Sequence, residues 1–215
     1  MANRQLVLWR HGRTSWNLEQ RFQGQTDIPL DEVGEQQAIS AAQLLKHLNP
    51  SYIASSDLSR ANKTGLELAK LLKLEVFKDE QFRETSHGLW EGLTYPELKS
   101  KYEQEYLSWA KGHEIRPGTT GETRAEVADR MVKGIEKHIE NVPDNSTFVI
   151  ATHGGAARVA AGKLMGLPKP TWLSLGIISN CCWIVLNEPA EKDLPWRLVE
   201  YNAGSLPTPA LSDDR

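Results

Sequence analysis

Two histidines in this chain are set in the same way. His11 follows the apolar run Leu6-Val7-Leu8-Trp9 and an arginine, Arg10, and is itself followed by Gly12. His153 follows the apolar run Thr147–Thr152 and is followed by Gly154 and Gly155. An imidazole is a nucleophile and proton carrier near neutral pH, and a guanidinium clamps oxyanions through a two-pronged fork. Side by side they are equipped to attack a phosphoryl group. The glycines let backbone approach a ligand closely, and a helix starting at Gly154 offers its free N–H groups to an anion. A histidine that merely caps that helix is the alternative for His153.

Two further residues extend this chemistry. Arg60 falls in the first turn of a candidate helix, where a cation opposes the helix dipole. A bound anion explains it; a surface pair with Asp57 is the alternative. Glu84 follows a weak extended stretch and precedes Gly88 and Gly92. A carboxyl beside a phosphate can protonate a leaving oxygen and then activate water. Solvated surface decoration is the alternative for it. His87, Trp90 and Glu91 follow closely and are candidates for a cleft wall.

The elements around these residues alternate. Short apolar runs at 6–9, 52–55, Thr147–Thr152, 182–186 and 197–201 predict strands, with a weaker extended segment at 74–77. A helix is predicted over 32–47, with Asp31 as N-cap and Ile39, Ala42, Leu45 and Leu48 on its inward stripe. A second runs over 58–72, carrying Leu68, Leu71 and Leu72. Thr94-x-x-Glu97 and Thr123-x-x-Glu126 are capping boxes. The first opens a helix containing Leu98 and Tyr102. The second opens one with Val127, Met131, Ile135 and Ile139 at intervals of four. An alanine-rich helix follows His153 to Leu164. Residues 12–30 read as a long polar loop.

Strands separated by helices predict a three-layer α/β/α sandwich with a mostly parallel central sheet, the last two strands adding an antiparallel edge. In a parallel sheet the strand ends bearing His11 and His153 lie on one side, where open α/β sheets place their ligands. The expected organisation is a single domain over 1–205 with a flexible tail over 206–215.

Composition narrows the partners. The chain has 215 residues and a net charge of −3, with 40% hydrophobic and 25% charged residues. It carries no basic footprint for nucleic acid, no apolar stretch of bilayer length and no signal-peptide pattern. The two cysteines, Cys181 and Cys182, are adjacent, which disfavours a mutual disulfide and fits a reducing cytoplasm. No metal-ligand spacing is present.

With RHGRT near the start, SSDLSRANKT in the middle, RETSHGLWEGLT after it and ATHGG late, the chain resembles the histidine phosphatase superfamily. The resemblance covers residues 5 to about 165 and continues more faintly to about 205. It implies a phosphoglycerate mutase-like fold and a phosphohistidine formed on His11. Arg10, Arg60 and His153 would form the phosphate pocket, and Glu84 would be the proton donor. Asn17, Gln23 and the neighbouring Gly24 would contact substrate from the first loop, with Gly154 at the helix start. Neither metal nor other cofactor is implied.

The short stretch between Glu84 and His153, and ETSHG where the family's mutases tend to read ERHYG, favour hydrolysis over phosphoglycerate mutation. Within the family, the runs RFQGQTDIPL and IASSDLSRA are similar to phosphatases that act on glucosyl-3-phosphoglycerate. For a substrate of that kind, Arg13, His87 and Arg116 are candidates to meet a carboxylate, and Trp90 to stack on a sugar. The partner implied is thus a small phosphorylated metabolite. A non-catalytic phosphate-binding module is the remaining alternative. A homodimer is also expected, with the strand at 182–186 either pairing across a two-fold axis or lying inside the sheet.

Overall fold

The computed structural model describes residues 4–191 and 193–204. The tail expected over 206–215 lies outside them. Six strands form one sheet: β1 (Gln5–Arg10), β2 (Pro50–Ser55), β3 (Val76–Lys78), β4 (Thr147–Thr152), β5 (Trp183–Asn187) and β6 (Arg197–Ala203), in the order β3-β2-β4-β1-β5-β6. The first four run parallel; β5 is antiparallel to β1, and β6 to β5. β5 therefore sits inside the sheet, and β6 takes the edge.

β1 and β4 are central, and all six residues of β4 are buried. Strands covered on both faces read as continuous apolar runs, which is why these two stood out in the sequence. Their alternate residues face opposite layers. Leu6, Leu8, Phe148 and Ile150 pack against α5 (Arg124–Ile139) and α6 (Gly154–Leu164). Val7, Trp9 and Val149 pack against α2 (Glu32–Leu45) and α3 (Ser59–Leu72). The result is the expected three-layer sandwich.

Local details depart from the sequence reading. α2 turns Ala38, Ala41, Ala42 and Leu45 inward, whereas Ile39 is 40% exposed. The inward stripe lies one position over, on alanines whose small side chains let the helix approach the sheet closely. On α3, Leu68 and Ala69 are buried and Leu71 is exposed. The loop at 12–30 contains a short helix, α1 (Ser15–Leu18), capped by Thr14 and Asn17. A single turn has no periodicity to detect. Both capping boxes form, at α4 (Tyr95–Ala110) and α5. Among the described residues no helix is long and apolar enough to cross a membrane.

Parallel pairing sets Arg10 opposite Thr152, so His11 and His153 leave the sheet side by side. Ser55 pairs with Ala151, which brings the start of α3 to the same end.

Candidate active site

The His11 and His153 rings meet edge-on, with centroids 5.1 Å apart. His11 Nδ1 lies 2.7 Å from the Gly12 carbonyl. A carbonyl only accepts, so Nδ1 carries the proton and Nε2 keeps its lone pair. Burial pushes the His11 pKa well below the usual value of 6.5, and the Arg60 and Arg10 charges push it further. His153 is lowered likewise by burial, then by Arg60, His11, Arg130 and Arg10. Both rings are therefore neutral at physiological pH. Neither nitrogen of the buried His153 has a hydrogen-bond partner, and it caps α6 only through its backbone.

Arg10 is buried and donates from Nη1 to the Ile178 carbonyl at 2.6 Å. Its Nε has no partner, and no carboxylate pairs with it among the described residues. A Cβ on Gly154 would stand 3.3 Å from Arg10 Cδ and Nε, so the glycine leaves room for this side chain. Arg60 is fully buried and donates to the Thr26 and Gly24 carbonyls, each at 2.8 Å. Asp57, its alternative partner, binds Arg83 instead, with Nε to Oδ1 at 2.8 Å. Thr64 bridges α3 to the first histidine turn: its hydroxyl donates to the Arg60 carbonyl and accepts from Gly12 N–H. Two desolvated guanidiniums beside two neutral imidazoles create an electrostatic demand for an anion.

Glu84 closes the chamber from the α6 side. Its Oε1 accepts from Thr85 N (2.8 Å) and Ala156 N (2.9 Å), and its Oε2 from Gly155 N (3.1 Å). The carboxyl is thus seated on the N-terminus of α6, next to His153.

The first loop completes the pocket. Asn17 Oδ1 accepts from Thr14 N–H (3.1 Å) and Asn180 Nδ2 (3.2 Å), and the Thr14 hydroxyl lies 3.2 Å away. That set fixes the amide orientation and leaves the buried Nδ2 without a partner, as a free donor. Gln23 is buried with Oε1 at 3.1 Å from the same Thr14 hydroxyl. Gly24 takes a positive φ of 51°, and a Cβ there would collide with Glu91 at 2.1 Å. The Glu91 carboxylate accepts from Gln25 N, Thr26 N and His87 N, which steadies the loop that offers carbonyls to Arg60.

The structure brings Arg10, His11, Arg60, Glu84, His153 and Gly154 to one sheet end, with Asn17, Gln23 and Gly24 on the adjoining loop. The four candidates to meet a carboxylate or a sugar fare differently. Arg13 is held by Asp31 at 2.8 Å. Arg116 is half exposed, ion-paired with Glu126 and bonded to the Gly121 carbonyl. Trp90 is fully buried with Phe22, Tyr106 and Trp109, so neither face is open to a sugar. His87 lies buried against Phe22 and Trp109, at ring distances of 5.2 and 5.8 Å.

Sequence reasoning missed Asn180, Thr64 and the pair Arg130–Glu122, whose contacts bracket Glu84. Burial pushes the Glu122 carboxyl up, but Arg130 outweighs it and holds the carboxyl below the usual range. The faint signal for Arg130 was its place three residues after Val127, on the rim of a buried stripe. Among the described residues no group of three or more His, Cys, Asp or Glu side chains could hold a metal ion.

A mostly parallel sheet with two strand-end histidines and two buried arginines defines a class, and the sequence comparison agrees with it. The model of the histidine phosphatase superfamily (branch 1) matches residues 6–204, and the chain belongs to that superfamily. A glucosyl-3-phosphoglycerate phosphatase of Mycolicibacterium vanbaalenii is 34% identical over 95% of this chain and 97% of its own. A probable phosphoglycerate mutase of Photorhabdus laumondii is 35% identical over 97% and 98%. Among solved structures, a mycobacterial glucosyl-3-phosphoglycerate phosphatase complexed with VO3 superposes with a TM-score of 0.87. It is 34% identical, covering 94% of this chain and 100% of that one.

Proposed function

We propose that this chain is a phosphomonoester hydrolase that works through a phosphohistidine on His11, with a glycerate- or sugar-bearing phosphate ester as substrate. Glucosyl-3-phosphoglycerate, named for the mycobacterial relatives, is the first candidate. The observation that carries the reading is the buried chamber of Arg10, His11, Arg60 and His153. A phosphomonoester carries about −1.5 to −2 charges at neutral pH, which two guanidiniums balance.

The ester phosphate enters between Arg10 and Arg60, with the Asn17 amide and a His153 N–H donating to its oxygens. His11 Nε2 attacks phosphorus in line as the bond to the ester oxygen breaks. Glu84, entering this step protonated, gives its proton to the departing alkoxide. A water then gives a proton to Glu84 and attacks the phosphohistidine, releasing inorganic phosphate and restoring His11. Guanidinium and imidazole donors fixed before the reaction stabilise charge on the equatorial oxygens without reorganising.

The relatives favour hydrolysis: the glucosyl-3-phosphoglycerate phosphatases match this chain more strongly than the relatives named phosphoglycerate mutase, although their percentage identities are similar. Hydrolysis is supported by the compact connection between Glu84 and β4, whose helical elements beyond one short turn are α4 and α5. The chain is read as one domain, acting in the cytoplasm, where Cys181 and Cys182 thiols that form no disulfide fit. It is read as dimeric, without nucleic-acid or membrane partners.

A phosphate-release screen over glucosyl-3-phosphoglycerate, 3-phosphoglycerate, phosphoserine and simple sugar phosphates tests the proposal, with His11→Ala as control. Selective release from glucosyl-3-phosphoglycerate, abolished in the variant, is the expected result. Bisphosphate-dependent conversion of 3- to 2-phosphoglycerate outpacing phosphate release would overturn it.

A further inference from the structure

Arg130, on α5, touches none of the groups assigned above to the phosphate, yet its bonds converge on the backbone around Glu84. Nη1 donates to the carbonyls of Gln81 (2.8 Å) and Arg83 (2.7 Å), and Nη2 to that of Glu84 itself (2.8 Å). Nε and Nη2 also donate to Glu122 Oε1 (2.7 Å) and Oε2 (2.9 Å). A guanidinium has five N–H bonds, and these contacts occupy all of them, so none is left for a substrate.

Glu122 carries the bracket to the other side of Glu84. Its Oε2 accepts from Ser86 N–H (2.9 Å) and from Gln25 Nε2 (3.2 Å). Gln25 Nε2 in turn lies 3.2 Å from the Glu84 carbonyl. Residues 83–87 belong to no strand or helix, so their polar backbone groups need partners from elsewhere. The same helix also grips Asp79, the cap of the short turn Glu80–Phe82 that leads into the segment, through Lys137 Nζ and His138 Nε2 (2.7 and 3.0 Å).

We propose that the Arg130–Glu122 pair is the positioning element of the proton donor: it clamps the backbone on both sides of Glu84 and so aims the carboxyl at the ester oxygen. This rests on the reading of Glu84 as proton donor. A misaimed acid has a specific signature. Esters with poor leaving groups depend on the proton and suffer, whereas p-nitrophenyl phosphate, whose phenolate departs unaided, does not. Because kcat/KM reports the steps through the first bond cleavage, it is the quantity to compare.

The experiment measures kcat/KM for p-nitrophenyl phosphate and glycerol 3-phosphate in wild type, Arg130→Met, Arg130→Lys, Glu122→Gln and Glu84→Gln. General-acid contributions of about 10²–10⁴-fold set the scale. Arg130→Met should lose about 10²-fold on the alkyl ester and only a few-fold on the aryl ester. Arg130→Lys should fall between it and wild type, and Glu122→Gln should show the same pattern more weakly. Adding Arg130→Met to Glu84→Gln should cost the alkyl ester little further, because both changes remove one function. Should Arg130→Met fail to fold, the lysine variant carries the same comparison. Equal losses on both esters, or additive losses in the double variant, would overturn the proposal while a selective Glu84→Gln still upholds the proton donor. A Glu84→Gln variant that treats both esters alike would overturn the proton-donor reading, and this proposal with it.

Discussion

Two buried clusters flank the loop at 22–26, and they are built on opposite principles. The chamber proposed above to take the phosphate buries Arg10, His11, Arg60 and His153, groups that water would solvate well. The neighbouring cluster buries Phe22, Trp90, Leu98, Tyr106 and Trp109; the rings of Phe22, Trp90 and Trp109 meet edge-on at about 6 Å, an arrangement that adds attraction beyond area burial. Both are equally buried. One spends folding energy to hold charges ready, and the other supplies packing that keeps the loop between them in place. Burial alone therefore says nothing about which cluster does chemistry; the convergence of two guanidiniums and two imidazoles on one sheet end does.

That contrast is broken or sharpened most strongly at Arg10. Arg10→Met should lower kcat/KM for p-nitrophenyl phosphate by about 10²–10³-fold, the scale of one transition-state donor. It should cost less than about 1 kcal/mol of stability, since one carbonyl bond is lost but an unpaired buried charge also goes. Inorganic phosphate at 100 times its Kd should stabilise wild type by about 2.7 kcal/mol in thermal melts, and the variant far less. A variant that unfolds readily but keeps its activity would erase the distinction. Trp90→Leu should do the reverse: about 3 kcal/mol of stability lost, with kcat/KM on the same ester nearly unchanged. Loss of activity without loss of stability would make the aromatic cluster part of the site.

The same contrast explains what could be read from the sequence. His11 and His153 were legible because β1 and β4 are buried on both faces and their apolar runs end at the histidines. Arg60 and Glu84 were legible as misfits, a cation at a helix start and a carboxyl before glycines. Asn17 and Gln23 came only through family resemblance, because a four-residue helix and its caps leave no periodic trace. Trp90 was drawn toward the ligand by its chemistry; its burial depends on contacts with Phe22 and with α4 residues that no local pattern relates. Arg130 was missed because three of its five bonds go to carbonyls, and backbone acceptors carry no residue type.

Acid should expose the chamber's cost next. His11 and His153 are held well below 6.5 by burial and by the arginines, so in the folded state they resist protonation. The unfolded chain binds those protons at about 6.5. Stability attributable to these rings is thus fully present above about 6.5 and is lost as pH falls from there through the folded values. Melting midpoints measured from pH 8 to 5 should decline more steeply in wild type than in His153→Asn. Parallel profiles would mean that the chamber does not hold His153 neutral.

The smallest effect tests the boundary itself. His87 sits among the rings of the aromatic cluster, yet neither of its ring nitrogens has a partner. Its backbone N–H, which meets Glu91, does not depend on the side chain. A buried polar group without a hydrogen bond costs about 1–3 kcal/mol, so an apolar residue of similar size should be tolerated or better. His87→Leu should stabilise the protein by about 1 kcal/mol, a rise of about 2–4 °C in Tm for a chain of this size. Hydrolysis of p-nitrophenyl phosphate and of glucosyl-3-phosphoglycerate should be unaffected. If the variant instead loses activity only on the carboxylate-bearing ester, the imidazole meets substrate. The aromatic cluster would then be a second recognition surface rather than packing, and the division between the two clusters would run through His87.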